Sequence, residues 1–546
     1  MKNIDEGMNN KNIKNNDDVG ERVGPPKLAR RQVILTLAGL MLAQFLASMD
    51  QTVVGTALPK IITDLGGFSK YTWVVTAYMI TSTVTVPIVA KLSDMYGRKW
   101  FLVGGIIIFL AGSAICGTSQ TMDQLIAYRA VQGIGAGAIM ALAFTILGDL
   151  FPPSERGKYV GIMSGVFGLS SIIGPTLGGF ITDHFGWHWV FYVNIPLGII
   201  VIFLNIFFFP HIRFSTRKHK VDILGITALI LTVVPLMLAL SLAGVDYAWT
   251  SPQVIGLFEF SVVMLFVFLN IEKHVKEPII PLWIFKNRIV AVSSLIIFLT
   301  GFGMFTGIIY IPLFFQGVLG QTATSSGTFL TPMMLGMITG SLLSGQYLSR
   351  VGGHYRIQGM VGCAIMAAGA FLLSGMNPST PGGGAIIFIV VSGLGLGITM
   401  PVYTIAVQNA VPYSVMGIAT STTAFFRSIG GLLGMSVVGS VMNNRFASEF
   451  TTNLSPQLHA VLPQNQVNQL VNNPQALFSS GALDQLQAQF ANFGAQGQAL
   501  LKELLTTLKG ALSSSLSEVF LISFSVVVVA FIVNFFLKEI PLRTHH

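Results

Sequence analysis

The sequence predicts an all-α, polytopic membrane protein: fourteen transmembrane helices in two six-helix bundles about a pseudo-two-fold axis, with a helix pair inserted between them. Three observations predict it. Of the 546 residues, 52% are hydrophobic and 10% charged, with a mean hydropathy of +0.70, whereas a soluble domain carries about a quarter charged residues. Apolar runs long enough to cross a bilayer recur fourteen times. The first six and last six runs also share a glycine spacing, the mark of a duplicated unit.

Residues 1–32 are Asn-rich, charged and poor in apolar groups, which predicts a disordered tail. Apolar spans follow at 33–57, 72–90, 100–118, 123–148, 159–181 and 187–209, then 221–243 and 253–271. Six more lie at 289–313, 324–348, 357–376, 383–408, 414–441 and 517–537. The expected units are an N-terminal bundle (33–209), an inserted pair with its loops (210–288), spans nine to thirteen (289–441), an outer segment (442–516) and the last span with a short tail (517–546). In the outer segment, Leu483, Leu486, Phe490 and Phe493, then Leu501, Leu505, Leu508 and Leu512, recur at helical spacing. That predicts an outer helical hairpin lying on the protein or the headgroups.

Of the Lys and Arg residues, 24 fall in the tails and even-numbered connections, 5 on the opposite side and 2 inside spans. The positive-inside rule therefore puts both termini in the cytoplasm and accounts for a pI near 9.5 without a nucleic-acid partner. Cys116 and Cys363 lie inside apolar spans far apart in sequence, which predicts no disulfide and no metal site. The expected localisation is the plasma membrane.

Gly133, Gly135, Gly137, Pro152, Gly157 and Gly174 match Gly393, Gly395, Gly397, Pro412, Gly417 and Gly434 at one constant offset of 260. Gly97 and Gly352 match at 255. Two similar bundles related by an axis along the membrane normal are the architecture of a transporter whose solute site lies between the halves. No H-E-x-x-H, G-x-S-x-G triad order or G-x-x-x-x-G-K-[ST] is present, so neither an enzyme nor a self-contained ATP-driven pump is expected, and no cofactor.

Five motifs resemble those of the major facilitator superfamily, in its fourteen-span drug:proton antiporter branch, and the resemblance covers residues 33 to 540. "AKLSDMYGRK" (90–99) resembles the loop G-x-L-x-D-R-x-G-R-K, with Ala90 and Met95 departing from it. Asp94, Arg98 and Lys99 are then a conformational latch, in which Asp94 pairs with cations and accepts from a helix N-terminus. "RAVQGIGAG" (129–137) is similar to the family's fourth-helix motif. "GVFGLSSIIGPTLGG" (165–179) is similar to its antiporter motif, with Gly165, Gly168, Gly174, Gly178 and Gly179 permitting close helix contact and Pro175 bending the helix. "DQTVVGTALP" (50–59) and "WHWVFYVNIP" (187–196) resemble signatures of the branch, with His188 in place of an Arg. The resemblance implies export of lipophilic, cationic drugs in exchange for protons by a monomer among membrane lipids.

An acid inside a span costs roughly 2.5–3.5 kcal/mol, so Asp50 needs a partner or a pathway. With span one ending near Ala57 and span four starting near Asp123, Asp50 and Arg129 both lie about 10 Å deep and can meet. Asp50 is then the exchangeable carboxylate and Arg129 its tuning partner, or the two form a permanent buried pair. Arg427 sits mid-span with no acid in its bundle, able to attract an anionic headgroup or to bond helix carbonyls. Glu259 lies in the inserted pair, where snorkelling to the interface competes with proton carriage. A substrate cavity is expected around Gln51, Tyr310, Phe314, Met334, Arg427 and Glu259, because Met and aromatic faces accept varied lipophilic shapes. The alternative cargo is a lipid, glycolipid or anionic amphiphile.

Overall fold

A computed structural model describes residues 29–66, 70–210, 220–244, 247–320, 323–351, 353–461, 467, 490 and 494–542. The expected tail at 1–32 lies almost wholly outside them, as do Leu483, Leu486 and Phe493. The N-terminal bundle comprises α1 (Arg30–Leu65), α2 (Tyr71–Tyr96), α3 (Arg98–Cys116), α4 (Met122–Leu150), α5 (Pro153–Phe185) and the broken span of α6 (His188–Tyr192) with α7 (Asn194–Phe208). The inserted pair is α8 (Ile223–Leu242) and α9 (Pro252–His274). The second bundle comprises α10 (Arg288–Gly317), α11 (Ala323–Val351), α12 (Tyr355–Ser374), α13 (Gly382–Ala410), α14 (Met416–Asn453) and, after a short α15 (Pro456–Val461), α16 (Gly494–Asn534). Thirteen of these segments are long and apolar enough to span a bilayer, and α11, with 29 residues, makes fourteen.

The repeat is visible in what each glycine touches. A Cβ at Gly135 of α4 would stand 2.6 Å from Phe109 Cα of α3, and one at Gly395 of α13 would stand 2.6 Å from Met366 Cα of α12. Gly174 packs on α1 at Thr52, and its mate Gly434 packs on α10 at Phe302. The bundles meet through α5 on α11 and α2 on α14, which are one contact seen twice under the pseudo-two-fold.

Helix α5 divides its glycines between two partners. Towards one end Gly157 and Gly161 lie against Gly345 and Ser341 of α11, with Gly168 against Ile338 nearer mid-span. Towards the other end Gly174 and Gly178 lie against α1. Gly165 is only in ordinary contact with Ile338, and a Cβ at Gly179 would meet nothing within 4 Å, so the motif's last glycine is not required by packing. Pro175 sits inside the continuous α5 helix.

Polar contacts cross between bundles at the Gly157 end. Ser341 Oγ donates to Gly161 O (3.0 Å), Lys158 N to Ser349 Oγ (3.2 Å) and Gln408 Nε2 to Phe144 O (3.4 Å). This end is therefore sealed. Gly157→Val would press a branched side chain into the Gly345 backbone, and we expect it to hold the end open. A cysteine replacing the buried Leu348, which lies against Gly157, should then label with maleimide faster than in the parent; unchanged labelling would contradict the packing.

Two boundaries differ from the sequence expectation. α14 runs to Asn453 and α16 begins at Gly494, so both helices continue well past the apolar spans. Leu508 and Leu512, expected in a separate hairpin, are buried within α16 and pack with Phe446, Phe450 and Leu454. Arg445 ties the two extensions together through Glu449 (2.7 Å) and Glu518 (3.4 Å). The extension is helical because it borrows the bundle's apolar core rather than building its own.

Candidate proton-coupling site and latch

Asp50 of α1 and Arg129 of α4 are each 1% exposed, and Arg129 Nη1 lies 2.5 Å from Asp50 Oδ2. Two further side chains complete the shell, both absent from the sequence expectation. Gln132 stands three residues after Arg129 on the same helix face; it donates from Nε2 to Asp50 Oδ1 (2.8 Å) and accepts from Arg129 Nη1 (2.7 Å). Asn194, the first residue of α7, donates to Asp50 Oδ1 and to Ser113 Oγ, both at 2.9 Å. The guanidinium also donates from Nε to Val74 O (3.3 Å) and lies 4.1 Å from the Tyr78 ring centroid. One carboxylate thus joins α1, α4 and α7, with α2 and α3 holding its partners. The sequence did carry the signals, since Gln132 belongs to "RAVQG" and Asn194 to "YVNIP".

The arrangement neutralises a charge pair in low dielectric and gives the carboxylate three hydrogen bonds, two to Oδ1 and one to Oδ2. Releasing Arg129 from Asp50, or bringing water to the pair, requires the helices to shift.

At the sealed end, Arg98 joins two acids. Its Nη1 lies 2.5 Å from Asp94 Oδ1, and its Nε and Nη2 form a fork on Asp149, with Nη2 to Oδ1 at 3.2 Å. Asp149, in "GDLFPP", belongs to this ion-pair cluster although the loop motif does not contain it. The Tyr413 hydroxyl, from the turn between α13 and α14, hydrogen-bonds Asp149 and so links the bundles. Burial, then the neighbouring Asp149 carboxylate, pushes that hydroxyl well above the usual tyrosine range, keeping it a donor. Asp94 lies against Gly417 in the first turn of α14, at the positive end of the helix dipole. No described backbone N–H hydrogen-bonds its oxygens, so the contact is electrostatic rather than the expected cap. Ser349, the repeat mate of Asp94, occupies the equivalent place on α11.

Lys99 lies outside this cluster. Its Nζ donates to Ile206 O (2.7 Å) and Phe209 O (3.0 Å), satisfying orphan carbonyls at the end of α7.

The expected cavity residues separate. Tyr310, Phe314 and Met334 are buried in the apolar core of the second bundle, where the Tyr310 hydroxyl donates to Met435 O (3.3 Å). Gln51 is half-buried on α1, one residue from the paired Asp50. Glu259 is exposed on α9, which packs on α8 at the periphery, so it lies outside any cavity between the bundles. Arg427 lines a narrow crevice with Thr300, Gly301, Met304, Thr399, Met400 and Tyr403.

Two pseudo-symmetric six-helix bundles, touching through glycine-paired helices and joined by polar contacts at one end, define a two-lobed, multi-pass membrane transporter. The chain belongs to the Major Facilitator Superfamily, whose sequence profile matches residues 40–435. It is 40% identical over 528 residues to the Multidrug transporter protein MdtP of Bacillus subtilis (strain 168), covering 94% of each chain. It is 39% identical over 506 residues to Multidrug resistance protein 3 of the same organism, covering 93% of this chain and 95% of that one. Among solved structures, the proton:xylose symporter XylE bound to 6-bromo-6-deoxy-D-glucose matches with a TM-score of 0.57 at 15% identity, covering 94% of this chain and 98% of the other; that likeness concerns the fold. Membership of this transporter family also places the chain outside the enzymes.

Proposed function

We propose that this protein exports lipophilic small molecules across the plasma membrane by alternating access, exchanging them for protons at Asp50. The relatives named as multidrug transporters support the cargo class. The observation that carries the coupling is the carboxylate–guanidinium pair at 1% exposure within a membrane-spanning bundle, a costly arrangement unless its charge state is used. The latch end is cytoplasmic in this reading, by the distribution of Lys and Arg, and both termini lie on that side. The conformer described is then the one sealed towards the cytoplasm. Rocking to the opposite state parts α5 from α11 and strains the α1–α5 contact at Gly174 and Gly178, which moves Asp50 relative to α4 and α7. Protonation at that moment removes the charge that holds Arg129.

The test is transport in proteoliposomes under an imposed pH gradient, with the neutral lipophilic dye Nile red as cargo. Gradient-dependent dye movement that dissipates the gradient is expected. Dye movement indifferent to the gradient would overturn proton exchange. The second reading, a permanent structural pair, is favoured by the three hydrogen bonds that hold Asp50, and the variants below separate the two.

A further inference from the structure

Resting on the transport reading above, we propose that Arg427 binds the acidic head group, carboxylate or phosphate, of an amphiphilic cargo, so that the substrates this protein prefers are anionic or zwitterionic rather than cationic. Arg427 lies midway along the span of α14, in the crevice between α10 and α13. Residues 289–441, which include all of that span, contain no Asp or Glu. Among the described residues, no hydrogen bond or ion pair engages its guanidinium, which leaves its donors unsatisfied in a crevice too narrow for a ligand in this conformer, so a head group enters as the helices part.

The neighbouring polar groups do not neutralise it. Thr300 donates to Ile296 O (2.9 Å) and Thr399 to Leu396 O (2.8 Å), while the Tyr403 hydroxyl accepts from Asn534 Nδ2 (2.7 Å). Ile297, Met304, Leu396 and Met400 line the apolar sides of the crevice. A guanidinium is always charged and presents a planar fork of donors that matches a carboxylate or phosphate. A lipophilic cation entering the same crevice is repelled, and the mid-span carboxylate that would attract it, Asp50, is already neutralised by Arg129 and sealed. The mate of Arg427 under the repeat is Phe167, so the positive charge belongs to one lobe only and orients the head group towards the second bundle.

The test is fluorescence binding of dansyl-aminoundecanoate and of its methyl ester to the full chain in phosphatidylcholine nanodiscs. The wild type should bind the acid about 10-fold or more tighter than the ester, the scale of a charge-assisted hydrogen bond. Arg427→Gln should make the two affinities equal, and Arg427→Lys should keep part of the preference. The ester's affinity reports folding in each variant. The acid preference is then compared between wild type and R427Q in phosphatidylglycerol nanodiscs: a reduced difference assigns the site to a lipid head group, and an undiminished one assigns it to a free amphiphile. Equal affinities for acid and ester in the wild type, or R427Q weakening both alike, would overturn the proposal. Because this is a binding measurement, it can fail while gradient-driven movement of Nile red persists, and the reverse.

Discussion

Asp50→Asn is expected to reduce proton-driven transport to the level of protein-free vesicles. The amide offers one acceptor where three donors converge, from Arg129, Gln132 and Asn194, and it leaves the Arg129 charge buried without a counterion. Breaking a buried pair from one side costs about 3–5 kcal/mol, so the single variant also loses stability. The informative comparison is therefore Asp50→Asn combined with Arg129→Gln, which removes both charges. The double variant should melt closer to the wild type than Asp50→Asn alone, yet still exchange no protons, because no titratable group remains at the site. Wild-type gradient-driven transport by the double variant would make the pair a structural fastening and remove Asp50 from the mechanism.

Arg98→Gln is expected to open the sealed end. Arg98 is 2% exposed and serves two carboxylates, one of them, Asp149, wholly buried. Removing it leaves two acids facing each other beside Tyr413 and Gly417, and repulsion replaces attraction at the junction of α2, α4 and α14. If a loss of about 3 kcal/mol falls on the sealed conformer alone, a two-state balance moves by roughly 100-fold. Labelling of a cysteine at position 348 reads this directly, since Cys116 and Cys363 are both buried. Unchanged labelling in Arg98→Gln would show that the glycine contacts of α5 and α11 close this end without help from charge.

The sequence was most legible where a physical cost is visible in one dimension. Span number and order follow from continuous apolar runs, and the duplication follows from glycines whose offset is constant because each must admit the same neighbouring backbone. The Asp50–Arg129 pairing was also readable, since two opposite charges at similar depth in lipid have few other solutions. Asp149, Gln132 and Asn194 were harder to see. A polar residue near a span end reads as interface, and a neutral amide reads as helix packing, until the crossing of three helices places it against the charge. Tyr310, Phe314 and Met334, expected at a cavity and buried in the second bundle here, were hard to place for the opposite reason: in uniformly apolar helices there is no polar face to show which side meets a cavity. Lys99 follows the motif's spelling but spends its charge on the carbonyls ending α7. The long α14 and α16 were cut short because hydropathy falls where the helices leave the bilayer, while their packing does not.

The central claim is that Asp50 changes protonation during the transport cycle. Infrared difference spectroscopy on the reconstituted protein, triggered by acidification and then by cargo, tests it most directly. The account predicts a protonated-carboxyl C=O band that appears on acidification, is lost when cargo binds, and is absent in Asp50→Asn combined with Arg129→Gln. A wild-type spectrum without such a band, or a band that survives in the double variant, would contradict it.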